Sequence, residues 1–308
     1  MNKQELIERI AGIGGFRLGM ESAGHKCIGF CEINKFAMTS YKAIHNTEGE
    51  IELHDITSVT DDEVRAIGHV DVICGGFPCQ AFSIAGNRRG FEDTRGTLFF
   101  EIARFASILK PKYLFLENVK GLLNHDKGNT FETILSALDE LGYDVEWQVL
   151  NSKNFGVPQN RERVFVIGHL RGERARNVFP IIGKNAKSDN QQSKIEIVGN
   201  TKNPNGTSKG FGSVVYNSNG LVGTLLARDY KEPKQIAIQK TGESQGVVEP
   251  DFRIRKLTPR ECWRLQGFPD WAFDKAQEVN SNSQLYKQAG NSVTVNVIEA
   301  IAKKMEVD

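Results

Sequence analysis

A short apolar run that stops abruptly at two glycines constrains the fold most. Residues 70–74 (VDVIC) form a β-prone stretch of the length of a buried strand, and Gly75-Gly76 marks the point where the chain leaves it. In an open α/β sheet, ligands bind outside the carboxyl ends of the strands, so Cys79 is predicted to lie where chemistry is done. A lone cysteine is more often a small buried hydrophobe, and the pattern alone leaves both alternatives open.

The composition is that of a globular protein with room for a second, smaller domain. The chain has 308 residues, of which 39% are hydrophobic and 25% charged, so it is long enough to bury a full core. It contains no apolar run of about 18 residues. The N-terminus, MNKQELIER, lacks the apolar core of a signal peptide. We therefore expect a cytoplasmic protein that neither spans nor crosses a membrane.

Cysteine spacing and charge distribution limit the class of function. The five cysteines, at positions 27, 31, 74, 79 and 262, have neither disulfide nor zinc spacing, which favours a reducing compartment and predicts no metal site. The net charge is only +1, but residues 171–260 carry 16 Lys and Arg against 8 Asp and Glu. This positive segment suits a module that contacts DNA phosphates, although such an excess is more often a solvated surface.

Residues 11–24 (AGIGGFRLGMESAG) indicate a glycine-rich turn that leads into a helix. Gly12, Gly14 and Gly15 let the backbone approach a ligand closely. Residues 27–31 predict a second strand that ends at Glu32, where doubly wound nucleotide-binding folds place a carboxylate on ribose hydroxyls. The turn alone is a weak signal, and the strand with its carboxylate strengthens it.

Several further segments have local signals. Helices are predicted over residues 34–45, from Thr97 to about Leu109, and over 130–141. Residues 213–227 (SVVYNSNGLVGTLLA) predict a β-hairpin around the turn residues NSNG. Thr258-Pro259 is a good helix start.

The motifs of the chain follow one order. They are AGIGGFRLGMESAG (11–24), Glu32, Asp55-Ile56, GGFPCQAFS (75–83), RGTLFFEIARF (95–105), ENV (117–119), QNRER (159–163), RKLTPRECWRLQGFPD (255–270) and GNSV (290–293). In content and order this set resembles the C5-cytosine DNA methyltransferases of bacterial and phage restriction-modification systems.

The resemblance implies an α/β fold of the Rossmann-like, S-adenosylmethionine-dependent methyltransferase type. This is a mixed, mostly parallel sheet with helices on both faces, accompanied by a small, irregular, β-rich target-recognition domain. The implied catalytic domain is discontinuous, with residues 1–172 and 280–308, and the implied target-recognition domain is 173–279.

The same resemblance assigns four residues to catalysis on a cytosine that has left the duplex. Cys79, as thiolate, is expected to add to C6, while Glu117 holds N3 and the exocyclic amine. Arg161 is expected to contact O2 of the cytosine, and Arg163 to support the carboxylate. After methyl transfer to C5, a base removes the C5 proton and Cys79 is expelled.

The implied cofactor is S-adenosyl-L-methionine, with S-adenosyl-L-homocysteine as product and no metal. Asp55 is expected to accept a hydrogen bond from the adenine amino group. The full set of expected cofactor contacts is Ile10, Ala11, Gly12, Ile13, Gly14, Gly15, Glu32, Ile33, Asp55, Ile56, Pro78, Leu98, Asn291 and Val293.

The implied partner is double-stranded DNA, bound by a monomer and without a membrane. Residues 81–97 are expected to form a loop that closes over the DNA. The expected DNA contacts are Gln80, Ser83, Arg88, Arg89, Arg95 and Thr224. The resemblance also allows a cognate restriction endonuclease that acts separately.

The start of the chain departs from the family pattern. Leu6, Ile7 and Ile10 have helical spacing, and Glu5 and Glu8 are unfavourable in a strand buried on both faces. Ile10 stands where the family has an aromatic residue that packs on the cofactor, which predicts weakened cofactor affinity. This departure leaves open a methyltransferase-like protein that binds DNA without catalysis. A separate alternative is an enzyme with the same chemistry that acts on RNA, which the Lys- and Asn-rich segment disfavours only modestly.

Overall fold

The chain divides into two compact units. The computed structural model describes residues 5–9, 11–78, 98–173, 176–183, 194–201, 213–239 and 252–305. The first unit is built from Met1–Leu150, Glu162–Ile182 and Val295–Asp308, and the second from Asn151–Arg161 and Gly183–Thr294.

These units differ from the domains inferred from the sequence. Residues 151–161 and 280–294 pack with the second unit, whereas the predicted bounds assigned them to the catalytic domain. The difference arises because the motif segments QNRER and GNSV make most of their polar contacts within the second unit. As divisions of function, the domains 1–172 with 280–308 and 173–279 stay a prediction.

A seven-stranded sheet organises the first unit. Its strands are β1 (Glu5–Arg9), β2 (Lys26–Cys31), β3 (Ile51–Leu53), β4 (Val72–Gly76), β5 (Tyr113–Val119), β6 (Tyr143–Asn151) and β8 (Glu162–Leu170), in the spatial order β3-β2-β1-β4-β5-β8-β6. The pairs from β3 to β5 are parallel, and β8 runs antiparallel to β5. The mixed, mostly parallel sheet confirms the predicted fold.

Helices cover both faces of this sheet. They are α1 (Gly15–Ser22), α2 (Lys35–Ile44), α3 (Asp61–Ala66), α4 (Leu98–Leu109), α5 (Asn129–Glu140) and α9 (Val295–Ala302). Leu114 belongs to a buried cluster with side chains of α3, α4 and α5. The next residue, Phe115, meets Phe16 of α1 edge to face, with 5.0 Å between ring centroids. Successive strand residues point to opposite faces, so both faces are packed.

The C-terminal helix packs against the first helix of the chain. A Cβ at Gly19 of α1 would lie 2.6 Å from the Cβ of Ile298 in α9, so the two helices approach closely only because Gly19 has no side chain. The chain end therefore returns to the first unit.

The first residues of the chain form a strand, so the helical start is wrong, while the pairing with β2 shifts register between Leu6 and Ile7. Residues Glu5–Arg9 pair with β2 on one side and β4 on the other. Leu6 and Ile7 are both fully buried because adjacent residues fill opposite faces of a central strand. Glu8 is only 1% exposed, and its Oε2 accepts a hydrogen bond of 3.1 Å from the Tyr41 hydroxyl.

The second unit combines short strands with three helices among its described residues. The strands are β7 (Gln159–Asn160), β9 (Ile197–Asn200), β10 (Val214–Asn217), β11 (Val222–Gly223), β12 (Gln235–Gln239) and β13 (Phe252–Lys256), and the helices are α6 (Pro259–Leu265), α7 (Asp270–Val279) and α8 (Asn282–Asn291). One sheet has the order β13-β12-β10-β9, and the other pairs β11 with β7. The Thr258 hydroxyl accepts from the Glu261 N–H, which confirms the predicted start of α6.

The predicted hairpin at 213–227 is wrong. The turn itself forms, since the Gly220 N–H donates to the Asn217 carbonyl at 3.1 Å. The strands on either side of the turn do not pair with each other. Instead, β10 lies between β9 and β12, and β11 pairs with β7. In the part of the chain described here, no helix is both long and apolar enough to cross a membrane.

Candidate active site

Glu117 lies at the end of β5 beside the end of β4. In the parallel register Gly76 is opposite Glu117, and a Cβ at Gly76 would lie 3.0 Å from Glu117 Oε2. The carboxylate is 9% exposed, and its Oε1 is 2.8 Å from Nε of Arg163. A glycine at position 76 therefore leaves room for a buried carboxylate that is neutralised by one guanidinium.

The segment that leads to Cys79 is anchored to the same strand end. The buried Asn118 side chain donates through Nδ2 to the Phe77 carbonyl at 2.8 Å, and the Phe77 N–H donates to the Glu117 carbonyl at 3.4 Å. Pro78 follows as an exposed residue. The anchoring role of Asn118 was not predicted, because an Asn after a strand signals only a turn.

The structure does not describe residues 79–97. The predicted nucleophile Cys79 and five predicted DNA contacts, Gln80, Ser83, Arg88, Arg89 and Arg95, therefore lie outside the described residues, as does Ile10. Their assignments stay predictions.

Arg161 has other partners than the predicted cytosine. Its guanidinium is buried and donates to the backbone carbonyls of Leu225 at 3.1 Å, Gly290 at 3.3 Å and Ser292 at 2.7 Å. A guanidinium held by three carbonyls has little freedom to recognise a base. The predicted contact of Arg161 with O2 stays a prediction, and the Arg163 ion pair agrees with its predicted support of Glu117.

The glycine-rich turn connects β1 to α1. The Ala11 N–H donates to the Cys31 carbonyl and the Gly14 N–H to the Ala11 carbonyl, both at 2.9 Å. Gly14 has φ +83°, and a Cβ there would lie 2.0 Å from Nε2 of the buried His45. Ile13 is buried, and the turn passes directly into α1 at Gly15.

Glu32 ties the end of β2 to this turn. Its Oε2 accepts from the Gly12 N–H and its Oε1 from the Asn34 N–H, each at 2.7 Å. Burial raises the pKa of Glu32 above its ordinary value, and these hydrogen bonds oppose that shift. Ile33, the next residue, is 61% exposed. Sequence reasoning found the carboxylate but not its contact with the turn.

Asp55 follows β3 and makes a tight local turn. Its Oδ1 accepts from the Thr57 N–H at 2.9 Å and from the Thr57 hydroxyl at 2.7 Å, and these bonds lower the pKa of Asp55. Ile56 is 3% exposed, so its side chain serves the core.

The remaining predicted residues are divided between the two units. Leu98 begins α4 in the first unit and is partly buried against the core. Asn291 ends α8 as an exposed residue and Val293 is 9% exposed, both in the second unit. The Thr224 hydroxyl, also in the second unit, donates to the Asn160 carbonyl at 2.8 Å.

Comparison with known proteins decides the family. A family model described as C-5 cytosine-specific DNA methylase matches residues 4–209 and 184–307. The type II methyltransferase M.NlaX of Neisseria lactamica is 41% identical over 325 residues, covering 98% of this chain and 96% of the relative. The type II methyltransferase M.HpaII of Haemophilus parainfluenzae is 39% identical over 330 residues, covering 98% and 89%. The chain belongs to the C-5 cytosine-specific DNA methylase family.

As a member of this family, the chain is a DNA (cytosine-5) methyltransferase, and its fold agrees. The Dnmt2 methyltransferase of S. pombe superposes with a TM-score of 0.67 at 18% identity, covering 97% of this chain and 96% of that one. The methyltransferase EhMeth of Entamoeba histolytica gives 0.67 at 18% identity, covering 99% and 98%. At these identities the likeness concerns the fold alone.

Proposed function

We propose that this methyltransferase acts on cytosine within a short, specific sequence of double-stranded DNA, with Cys79 as nucleophile and S-adenosyl-L-methionine as methyl donor. The observation that carries the proposal is the arrangement at the ends of β4 and β5. There a carboxylate paired with Arg163 lies beside the anchored segment that runs into Cys79.

In the proposed reaction, Cys79 as thiolate forms a bond to C6 of an extruded cytosine. Glu117 holds N3 and the exocyclic amine, so that the electrons displaced by the thiolate are stabilised in the ring. We assign to Arg163 the orientation of this carboxylate. A base removes the C5 proton once C5 carries the methyl group, and the C6–sulfur bond breaks to release Cys79.

The residues of the first unit fit the proposed cofactor. No described atom lies within 4 Å of the position that a Cβ would take at Gly12, which has φ +59°, so a ligand can approach the backbone there. Glu32 and Asp55 supply carboxylates after the neighbouring strands β2 and β3, where ribose hydroxyls and an adenine amino group would be recognised. When bound, S-adenosyl-L-methionine supplies an electrophilic methyl group.

We further propose that the protein is a cytoplasmic monomer and that a cognate restriction endonuclease acts separately on the same sequence. The similarity to proteins named type II methyltransferases supports the proposed pairing with an endonuclease. The alternative of a DNA-binding protein without catalysis depended on an irregular first strand. Because β1 pairs with both β2 and β4, with a single register shift against β2, the strand that the alternative called into question is formed.

Methylation-sensitive sequencing of DNA from a methylation-deficient host tests the proposal. We expect modified cytosines at one short recurring sequence with the wild-type chain and none with Cys79→Ala. Glu117→Gln should lower kcat by about 10²-fold or more. The matched control is Glu162→Gln, which alters an exposed glutamate paired with Lys120 and should keep the wild-type rate. Retained turnover in Cys79→Ala would refute the nucleophile.

A further inference from the structure

Arg161 connects two distant segments of the second unit through a single guanidinium. Nη1 donates to the Leu225 carbonyl at 3.1 Å, whereas Nη2 donates to the carbonyls of Gly290 at 3.3 Å and Ser292 at 2.7 Å. The side chain is 3% exposed, so these bonds do not compete with bulk water.

The two segments carry residues that the family resemblance assigns to different ligands. Leu225 directly follows Thr224, an expected DNA contact. Gly290 and Ser292 flank Asn291, an expected cofactor contact. One buried cation therefore holds the backbone next to a DNA-contacting residue and the backbone on both sides of a cofactor-contacting one.

The same two segments also pack directly against each other. A Cβ at Gly290 would lie 2.2 Å from the Leu226 carbonyl carbon and 2.4 Å from the Ala227 nitrogen. Only a residue without a side chain allows this approach, so neither segment can shift far without moving the other.

Two buried glutamines extend the connection. Gln159 accepts from the Leu225 N–H at 2.9 Å and donates to the Leu265 carbonyl at 2.8 Å. Gln266 donates to the Ala289 carbonyl at 2.7 Å. Both glutamines are fully buried, and a buried polar group that loses its partner costs about 1–3 kcal/mol. Gln159 Nε2 also donates to Gln266 Oε1 at 3.4 Å, so the two glutamines join the same two segments.

We propose that Arg161 couples cofactor binding to DNA binding, as a positioning residue that contacts neither ligand. The inference rests on the proposed function and on the predicted DNA contact of Thr224 and cofactor contact of Asn291. Ordering of the segment 290–293 by the cofactor fixes the carbonyls that orient Arg161, and Arg161 then fixes the backbone at Leu225. By linkage, DNA must raise cofactor affinity by the same factor.

The test measures a coupling factor rather than an activity. The Kd of a fluorescent duplex that contains the methylated sequence is measured by anisotropy, with and without saturating S-adenosyl-L-homocysteine, at one fixed salt concentration. The ratio of the two Kd values is the coupling factor, and couplings of this kind are about 5- to 150-fold. Isothermal titration of the cofactor product with and without DNA must return the same factor.

We expect Arg161→Lys to lower the coupling factor by at least about threefold, because a single ammonium cannot reproduce the forked geometry that reaches both segments. The matched control is Arg264→Lys. Arg264 lies in the same unit and also makes paired hydrogen bonds, to Asp270 at 2.8 and 2.5 Å, but it is exposed and touches neither segment. It should keep the wild-type factor.

The outcomes separate the competing roles of Arg161. A merely structural role would weaken both affinities and leave their ratio unchanged, and a contact to the base would lower kcat at saturating DNA with an unchanged ratio. Either result overturns the proposal, as does a wild-type factor of one. Should the wild type fail to bind S-adenosyl-L-homocysteine or DNA at all, the proposed function itself fails.

A second variant covers the case in which Arg161→Lys does not fold. Gln159→Met keeps the side-chain volume and removes the acceptor for the Leu225 N–H. It should lower the coupling factor in the same direction, and an unchanged factor in this folded variant refutes the proposal.

Discussion

Glu8 provides the sharpest prediction about stability, because a carboxyl group in the middle of a central strand opposes folding whenever it is ionised. Burial raises the pKa of Glu8 from 4.5 to about 8, against the lowering effect of the Tyr41 hydrogen bond. The ionisable groups around it are Arg17, Glu21, Cys27, Tyr41 and Cys74. Of these only Arg17 is cationic, and Glu50 binds its guanidinium in two hydrogen bonds of 2.8 Å.

The magnitude follows from proton linkage. Between pH 4.5 and about 8 the unfolded chain is ionised at Glu8 while the folded chain keeps its proton. The free energy of unfolding therefore falls by about 1.4 kcal/mol for each pH unit in this window. The loss is absent below the unfolded pKa, reaches about 3 kcal/mol at pH 7, and is complete above the folded pKa.

Glu8→Gln keeps the side-chain size and an oxygen that can accept from the Tyr41 hydroxyl, but it cannot ionise. We expect the variant and the wild type to be equally stable near pH 4.5, and the variant to be more stable by about 3 kcal/mol at pH 7. Urea unfolding followed by circular dichroism at several pH values measures this difference.

The matched control is Glu5→Gln in the same strand, where the side chain is 39% exposed and pairs with Lys26. It should show no stability difference that grows with pH. A Glu8→Gln variant that is no more stable than the wild type at pH 8 would refute the reasoning.

Three further substitutions have expected outcomes. Gly76→Ala should lower kcat about 10-fold or more with little change in DNA Kd, because the added methyl group displaces the Glu117 carboxylate; single-turnover kinetics measure this. Gly19→Ala should destabilise the first unit by about 1–3 kcal/mol by separating α1 from Ile298, and thermal unfolding measures it. Ile10→Phe should tighten S-adenosyl-L-homocysteine binding in calorimetry, and an unchanged Kd would contradict the expected aromatic contact.

Local sequence patterns were sufficient to predict the two strand ends that position the candidate active site. The apolar run before Gly75-Gly76 predicted a strand, and β4 ends at Gly76. The apolar run at residues 113–116 likewise predicts a strand that ends beside Glu117, and in β5 (Tyr113–Val119) Glu117 pairs with Gly76 on one side and Phe165 on the other. Both succeed because an apolar run and the residues that end it are adjacent in the chain.

Local patterns failed where pairing depends on distant residues. The turn at residues 217–220 is predicted correctly, yet β10 and β11 pair with strands that are distant from the turn in the sequence. Likewise, the local pattern makes Glu8 unfavourable in a strand, whereas the hydroxyl of Tyr41, 33 residues later, donates to its Oε2. The spacing of residues along the sequence does not identify such distant partners.

The two arginines of QNRER illustrate the same limit most clearly. Arg161 and Arg163 are two residues apart, and a continuous strand would point both side chains to one face. The pairing is interrupted between them, since β7 ends at Asn160 and β8 begins at Glu162, and the chain passes there from the second unit to the first. One five-residue motif thus supplies Arg163, which pairs with the Glu117 carboxylate in the first unit, and Arg161, which binds three backbone carbonyls in the second. Arg163→Lys should therefore lower kcat, whereas Arg161→Lys should lower the coupling factor.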